Sequence, residues 1–320
     1  MSPFWHHPEQ SPAPLVRGQS DNRWSIGAIV AVQDSQNANT EALEALTGGC
    51  NAPLFQLSSG KHTDVHRLLA GIDARYISLH FELKGASSQS LWTQLEAWAQ
   101  AHNLDGTELR GSIAAPPSPI LTAALLENWP QVRSLSVDAR PWLDPARSPV
   151  EELARCLQQA VDLLSSMETS GLSLTQLNKQ LFFRLAIGPR YFLDLAKLRA
   201  LRILWANVLA AYQLPEASLP PIHAYVALDT RASMETNMIR SGTQAMAAAI
   251  GGADLILVPP ASSDPEKTSF TQRIARNVQH LLQMEAKFDW VVDPAAGSYF
   301  LEKLTDELCE RAWSRFVELQ

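Results

Sequence analysis

Short β-rich apolar runs alternate along the chain with longer segments whose apolar residues recur at helical spacing. The first run, WSIGAIVAV (24–32), precedes a helical pattern over 37–46 that ends at the glycine pair Gly48–Gly49. Seven more pairs follow in the same order. The predicted strands are 24–32, 52–58, 75–82, 109–114, 133–138, 182–187, 221–228 and 253–259, and the predicted helices are 37–46, 63–72, 90–102, a segment ending at Leu126, 149–168, 191–212, 234–250 and 271–286.

Eight successive strand–helix units predict an α/β fold with a parallel sheet, because each helix has to carry the chain back across the sheet. Eight units most naturally close into a single-domain (β/α)₈ TIM-type barrel, here over 24–320. An open doubly wound sheet is the alternative, which the hydrophobic periodicity does not exclude. No predicted strand is followed by the G-x-G-x-x-G run of dinucleotide-binding folds, and this favours the barrel.

The two ends of the chain differ in character. Residues 1–23 contain four prolines and predict an extended N-terminal arm, in which His6 and His7 are more typical of a solvated segment than of a metal site. Near the other end, VVDPAAGSYFLEKLTDELCERAW (291–313) begins with an Asp293–Pro294 turn and continues as an amphipathic helix. We expect this last helix to pack against the barrel and close the chain.

Composition and charge exclude several classes of protein. Of 320 residues, 46% are hydrophobic and 18% charged, which supports a large core, and the net charge of −7 without a basic stripe argues against nucleic-acid binding. No apolar run reaches the roughly 18 residues of a membrane span, and the start lacks the features of a secretory signal. Cys50, Cys156 and Cys309 lie in apolar settings, which indicates core packing and a reducing, cytoplasmic location.

Several stretches of the chain resemble the barrel domain of methylmalonyl-CoA mutases. They are 182–212, 236–254, 273–313 and the short segment PLVRGQ (14–19), and the resemblance is specific from about 180 to 320. Over 24–49 the chain is similar to the smaller subunit of the family, which lacks a working site. The resemblance implies a barrel in which catalytic members interconvert succinyl-CoA and methylmalonyl-CoA, with CoA along the barrel axis and adenosylcobalamin capping it.

The same resemblance implies a heterodimer in which the large, catalytic subunit is the partner. Adenosylcobalamin is then expected on that partner and not on this chain, for which no C-terminal cobalamin-binding domain is expected. The run Asp64-Val65-His66 shares only part of the family's cobalamin motif and is interpreted as coincidence. No metal site is predicted.

The positions that match the family's catalytic residues are changed in this chain. Catalytic members carry a Tyr–His pair after the fifth strand, and Arg140 and Pro141 fall on that pair here. Proline has neither a side-chain donor nor a backbone N–H, so it cannot polarise a thioester carbonyl. After the seventh strand the family histidine is retained as His223, but Tyr225 and the residues behind it replace polar ones, and Pro259–Pro260 replaces a His-Thr-Asn run.

No catalytic residue is therefore assigned, and the candidate substrate contacts are few. They are His223, Tyr225, Asp229, Arg231, Arg276 and Asn277. A packed strand histidine is the simpler interpretation of His223, as helix–loop anchoring is of Arg276 and Asn277. The cations Lys197, Arg199 and Arg202 are predicted to form one solvated or interface face.

Three functions remain open at this point. In the first, the chain is a non-catalytic small subunit that stabilises the catalytic one, and its N-terminal arm contacts the partner. Alternatively it is a catalytic barrel that works with a separate cobalamin-binding chain, or a barrel that binds acyl-CoA without turnover. An open barrel interior favours ligand binding, whereas a filled one favours the stabilising role.

Overall fold

The computed structural model describes residues 21–59, 63–214, 218–262 and 264–320. Most of the predicted N-terminal arm, including His6 and His7, lies outside these residues.

The described residues form one sheet of nine parallel strands in the order β5-β4-β3-β2-β1-β9-β8-β7-β6. Every chain-sequential neighbour from β1 to β5 and from β6 to β9 is also a spatial neighbour. The strands are Ser25–Val32 (β1), Ala52–Ser58 (β2), Ser78–Lys84 (β3), Arg110–Ala114 (β4), Val132–Arg133 (β5), Leu135–Asp138 (β6), Leu181–Ile187 (β7), Ile222–Val226 (β8) and Leu255–Leu257 (β9).

Strands β5 and β6 are two halves of one barrel strand, interrupted at Ser134. The first half pairs with β4 and the second with β7, so this single position joins the two ends of the sheet. The backbone N–H and hydroxyl of Ser134 both donate to Oε1 of Gln180 at 3.1 Å, and the hydroxyl lies 3.0 Å from that of Thr122. These bonds satisfy the groups that the break removes from the ladder. The sheet thus has eight barrel positions, and the predicted TIM-type barrel is confirmed.

Ten helices occur in the described residues, and most follow the strands as predicted. They are Ser35–Thr47 (α1), Val65–Leu68 (α2), Ser88–Ala101 (α3), Pro119–Asn128 (α4), Val150–Glu168 (α5), Leu174–Gln180 (α6), Tyr191–Ala211 (α7), Met234–Gly251 (α8), Pro265–Met284 (α9) and Tyr299–Leu319 (α10). None of these described helices is long and apolar enough to cross a membrane.

Two helices differ from the prediction. The helix predicted over 63–72 is a single turn, α2, and Asp64 rather than Thr63 caps it. Helix α6 was not predicted, although Ser173 and Gln176 form a capping box that the sequence displays as S-x-x-Q. Both errors arise in short helices, where local capping outweighs hydrophobic periodicity.

The core fills the space between the sheet and the helices. Its larger part lies under α5, α7, α8 and α10, and its smaller part under α1 to α4. Cys50 and Cys156 are buried and Cys309 is half-buried, and all three thiols are free, as predicted from their apolar settings. The closing helix α10 packs on α5 and α7, so the prediction for the last helix is also confirmed.

The prediction that three cations of α7 form a solvated or interface face is wrong. Lys197, Arg199 and Arg202 are all buried, and each cation has an acidic partner on another element. The ammonium of Lys197 lies 3.0 Å from both carboxylate oxygens of Glu152 on α5, and Arg202 pairs with Asp254 at 2.8 Å. The helix is surrounded by packed elements, so its charges are compensated by ion pairs instead of by water.

The Asp293–Pro294 turn of the family-like C-terminal stretch has a structural role. Both carboxylate oxygens of Asp293 accept from Nη1 of Arg199 at 2.6 Å, and Glu302 of α10 lies 3.4 Å from the same guanidinium. The Asp293 carboxylate also accepts from the backbone N–H of Ala295. The turn therefore attaches the start of α10 to α7 through a buried ion pair.

Candidate functional site

The strand periodicity decides which side chains line the barrel interior. In β7 and β8 the residues at alternate positions pack outward against the helices. The positions between them, Phe182, Arg184, His223 and Tyr225, point into the barrel interior and are buried. Polar and ionisable side chains therefore gather along the axis.

Glu82 of β3 is the centre of the upper layer of the interior. Its Oε1 accepts from Nη2 of Arg140 at 2.7 Å and from Nη2 of Arg184 on β7, and its Oε2 accepts from Nε2 of Gln56 at 2.6 Å. Three side chains, from β2, β7 and the turn after β6, thus converge on one carboxylate of β3.

Asp138 at the end of β6 is the second carboxylate. Arg140 donates to its two carboxylate oxygens from Nε at 2.8 Å and from Nη2 at 2.7 Å. Nη1 of Arg184 lies 3.4 Å from Oδ2 of Asp138. The guanidinium of Arg140 lies 4.3 Å above the ring of Tyr225, whose hydroxyl accepts from Nε of Arg184 at 3.3 Å. Two carboxylates and two guanidiniums therefore compensate one another. We call Glu82, Asp138, Arg140, Arg184 and Tyr225 the axial cluster.

The surroundings of Glu82 and Tyr225 in the axial cluster shift the pKa of each group away from neutral pH. Burial, the largest effect on Glu82, would raise its pKa, but the charges and hydrogen bonds of Arg184 and Arg140 outweigh it and lower the pKa to about 2. Burial raises the pKa of Tyr225 above its ordinary value against the opposing effect of the two arginines. Neither group changes its charge near neutral pH, so neither is tuned as a general acid or base.

A second layer lies below the axial cluster and contains two histidines. The rings of His80 and His223 meet edge to face with centroids 5.1 Å apart, and His223 also packs on Phe182 at 4.9 Å. Nδ1 of His80 and the hydroxyl of Ser112 are 2.8 Å apart. Burial lowers the pKa of His80 to about 4, and burial followed by the nearby His80 and arginine charges lowers that of His223 well below its usual range.

The rest of the barrel interior is apolar. Beside the two polar layers, the inward side chains of β1, β2 and β9 form a separate small hydrophobic cluster against Tyr225. The inward-facing residues of that cluster are Ile29, Ala52, Leu54, Leu255 and Leu257. The interior is filled by side chains in the manner of a packed core.

The degenerate positions Arg140 and Pro141 lie in a short 3₁₀ turn, Arg140–Trp142, directly after β6. Arg140 turns inward to the axial cluster, whereas Pro141 is exposed at the rim. The guanidinium of Arg140 is thus paired with two carboxylates, and the following residue, Pro141, has no hydrogen-bond donor.

The other predicted substrate contacts do not share one site. His223 and Tyr225 lie in the barrel interior, whereas Asp229 and Arg231 lie in the loop after β8 at the C-terminal rim. Asp229 pairs there with Arg240 at 3.1 Å and with the largely exposed Arg231 at 3.6 Å. This rim contains a cavity of about 320 Å³ next to Asp229 and Arg231.

Arg276 and Asn277 lie on α9, outside the barrel. Arg276 is buried against α1, where a Cβ on Gly48 would lie only 2.8 Å from its Nε, and Asn277 is exposed. The position of Arg276 fits the anchoring of α9 to the end of α1, and the contact of both residues with substrate stays a prediction.

Sequence reasoning missed the residues that complete the axial cluster. Glu82, Asp138 and Arg184 received no role, although Arg184 lies in the otherwise apolar strand FFRLAI, where an ionisable residue indicates a buried partner. The sequence does not show which residue is the partner of Arg184.

The partial cobalamin-like motif Asp64-Val65-His66 has a local structural role. In the partial motif, Asp64 caps α2 by accepting from the N–H of Arg67, and His66 is exposed on that outer helix. Across the described ranges, no group of three or more His, Cys, Asp and Glu side chains is arranged to hold a metal ion.

Comparison with known proteins identifies the family. The methylmalonyl-CoA mutase family profile matches residues 118–320. The methylmalonyl-CoA mutase small subunit of Streptomyces virginiae is 30% identical over 336 residues, covering 96% of this chain and 54% of that protein, and that of Porphyromonas gingivalis is 29% identical with the same coverage. The large subunit of Propionibacterium freudenreichii subsp. shermanii is 29% identical, covering 80% of this chain and 39% of that protein. This chain spans about half the length of the small subunits it matches, and it belongs to the methylmalonyl-CoA mutase family.

Proposed function

We propose that this chain is the barrel of a small, non-catalytic subunit of a methylmalonyl-CoA mutase, and that it binds and stabilises the large, catalytic subunit. The observation that carries the proposal is the axial cluster, in which Glu82 bridges Arg140 and Arg184 across the barrel interior. The family resemblance assigns that space to the acyl-CoA.

Inserting a ligand along the barrel axis would cost free energy, because it would separate a buried ion pair. The side chains of Glu82 and Arg184 are each only 6% exposed, and a ligand along the axis would have to separate them. Removing one partner of a buried pair typically costs about 3–5 kcal/mol, which a ligand would have to supply before gaining any affinity. This energy argues against a residual acyl-CoA path along the axis.

The chemistry of the upper layer argues against turnover. At the position of the family's carbonyl-polarising histidine stands Pro141, which is exposed and has no donor. The loss of one preorganised donor typically lowers the rate about 10²–10³-fold. The arginine beside it is held by two carboxylates and is not available to a substrate oxygen.

The partners follow from the same proposal. Adenosylcobalamin is assigned to the large subunit, where it supplies the radical chemistry of the isomerisation, and the Pro-rich residues 1–23 contribute to the contact between the subunits. The three free cysteines support a reducing, cytoplasmic location.

Co-expression with a cognate large subunit tests the proposal. We expect one complex on size exclusion, a higher unfolding temperature of the large subunit in that complex, and mutase turnover that depends on the catalytic residues of the large subunit alone. Separate elution of the two chains, with a large subunit that is fully active and stable by itself, would contradict it.

Two further measurements address the other functions. Titration of CoA into this chain by calorimetry is expected to give no heat and no protection against unfolding, whereas a saturable signal would favour an acyl-CoA-binding barrel. Turnover by this chain with an added cobalamin-binding chain and adenosylcobalamin would favour the catalytic alternative.

A further inference from the structure

The cavity at the C-terminal rim of the barrel has the size and position of a small-molecule site. Its volume is about 320 Å³. That volume has room for about ten groups of the size of a water molecule. The loops after β6, β7 and β8, which are neighbouring strands, form most of its walls, and α8 forms the rest. TIM barrels bind their ligands at this end, in cavities of this kind.

Two buried amide side chains hold the walls of the cavity in place. Nε2 of Gln244 donates to the backbone oxygens of Ile187 and Ala227, both at 2.8 Å, and this joins the ends of β7 and β8. Nδ2 of Asn237 donates to the backbone oxygen of Asp229 at 3.0 Å, and its Oδ1 accepts from the backbone N–H of Asp229 at 3.2 Å. Both amides are buried. The cavity is therefore formed in advance of binding, which lowers the cost of ordering it around a ligand.

The lining of the cavity is mostly apolar. Its apolar residues are Leu143, Pro145, Pro189, Ala227 and Leu228. Leu143 packs closely on the loop after β7, since a Cβ on Gly188 would lie 3.3 Å from its Cδ1. Such a lining favours a ligand with a hydrocarbon part, because each CH₂ group that it buries typically improves affinity about fourfold.

Two guanidiniums at the edge of the cavity share one carboxylate. Nη1 of Arg240 lies 3.1 Å from Oδ2 of Asp229, whereas Nε of Arg231 lies 3.6 Å from Oδ1, which is beyond hydrogen-bond distance. The side chain of Arg231 is 92% exposed, so its N–H donors are available to a ligand. Among the described residues that line the cavity, only these three are charged. Two positive charges and one negative charge leave the edge with a net charge of +1.

The charge of the edge and the apolar lining together indicate the class of ligand. A carboxylate carries the one negative charge that the edge lacks, and a guanidinium binds it through two parallel N–H···O bonds. A phosphate monoester carries about −1.5 to −2 charges at pH 7, which is more than the edge neutralises. An amine would be repelled by the net positive charge. A carboxylate on a short hydrocarbon chain satisfies both parts of the cavity.

We propose that the rim cavity binds a small organic monocarboxylate, with its carboxylate on Arg231 and Arg240 and its hydrocarbon chain against the apolar lining. Asp229 is then a positioning residue, which holds the guanidinium of Arg240 at the edge of the cavity. The site lies outside the barrel interior, so the axial cluster does not block it. This proposal does not depend on the role of the chain as a small subunit.

Calorimetric titration of the full chain with straight-chain acids is the test. We expect saturable binding of hexanoate, with affinity rising about fourfold per methylene from butyrate to hexanoate. Hexan-1-ol and hexylamine, which lack the carboxylate, should bind at least about tenfold more weakly than hexanoate. Succinate should bind more weakly than butyrate, because its second carboxylate would face the apolar lining. Absence of saturable hexanoate binding, or equal affinity for hexanoate and hexan-1-ol, would overturn the proposal.

Substitutions at the edge of the cavity locate the binding. Arg231→Gln and Arg240→Gln should each weaken hexanoate binding about tenfold, as expected for the loss of a charged hydrogen bond. Arg67→Gln is the matched control, since it removes an exposed arginine of α2 that lies 3.4 Å from one aspartate, and it should keep the wild-type affinity. Surface changes of this kind leave folding intact, which the urea midpoint of each variant checks. Undiminished binding in the Arg231→Gln/Arg240→Gln chain, or an equal loss in Arg67→Gln, would overturn the proposal.

Discussion

Arg140 and Glu82 form an ion pair of 2.7 Å across the barrel, although they are 58 residues apart in the chain. Glu82 stands on β3 and Arg140 in the turn after β6, on strands that are not neighbours in the sheet. The pair therefore crosses the barrel interior instead of following its wall. It closes the axis at the end where TIM barrels carry their active sites.

The buried pair of Glu82 and Arg184 is expected to be costly to break on one side only. Glu82→Leu should lower the free energy of unfolding by about 3–5 kcal/mol, because Arg184 keeps a buried charge with only the more distant Asp138. The double variant Glu82→Leu/Arg184→Met should recover most of that loss, since both buried charges are gone. Urea unfolding measures both, and a double variant no more stable than the single one would contradict the role of the unpaired charge.

His80 is expected to make stability depend on pH. Its pKa is about 4 in the folded chain and 6.5 in the unfolded chain, so between these values only the unfolded state binds the proton. The stability from neutral His80 is therefore complete above pH 6.5 and is lost as pH falls towards 4, by about 3 kcal/mol in total.

Unfolding free energies between pH 7 and 4.5 check this effect. In His80→Asn, which keeps a partner for Ser112, the slope should fall by up to about 1.4 kcal/mol per pH unit. His66→Asn, a change on the exposed face of α2, is the control and should keep the wild-type slope. An unchanged slope in His80→Asn would show that folding does not lower the pKa of His80.

The attachment of α10 is expected to depend on Arg199. Arg199→Met leaves the carboxylates of Asp293 and Glu302 without their cation and should cost about 3–5 kcal/mol, because the site is buried. Hydrogen exchange should rise first in α10, which the pair holds to α7. Arg273→Met removes an exposed arginine of α9 and should change stability by less than about 0.5 kcal/mol. Equal effects of the two substitutions would rule out this attachment.

Gly111 in β4 is expected to accept no side chain. Its φ is +148°, and a Cβ there would lie 1.7 Å from the backbone oxygen of Leu79 on β3. Gly111→Ala should therefore destabilise by about 4 kcal/mol or prevent folding. Gly242→Ala in α8, where a Cβ meets open space, should instead stabilise by about 0.5–1 kcal/mol. Thermal unfolding of both variants gives the comparison.

The barrel was predictable because its signal is repeated and local. Eight alternations of apolar runs with helical patterns required parallel strands, and the segment 133–138 was correctly assigned to one barrel position although its ladder breaks at Ser134. The break itself was not predictable, since it depends on Gln180, 46 residues later in the chain.

The burial of the cations of α7 could not be predicted from the sequence. Lys197 and Arg202 looked like surface charges because their acidic partners, Glu152 and Asp254, are about 45 and 52 residues away in the sequence. Helical spacing describes the faces of one helix and does not say what packs against each face. Burial of those charges was a result of the tertiary structure alone.

The sequence by itself determined the order of the elements and the absence of a donor at Pro141, because both depend on residue type and local spacing. Only the tertiary structure decided that Glu82, Asp138, Arg140 and Arg184 meet on the axis as a neutral cluster. Their meeting depends on the register of strands that are far apart in the chain, and a shift of one residue in any of them would turn its charge away from the axis.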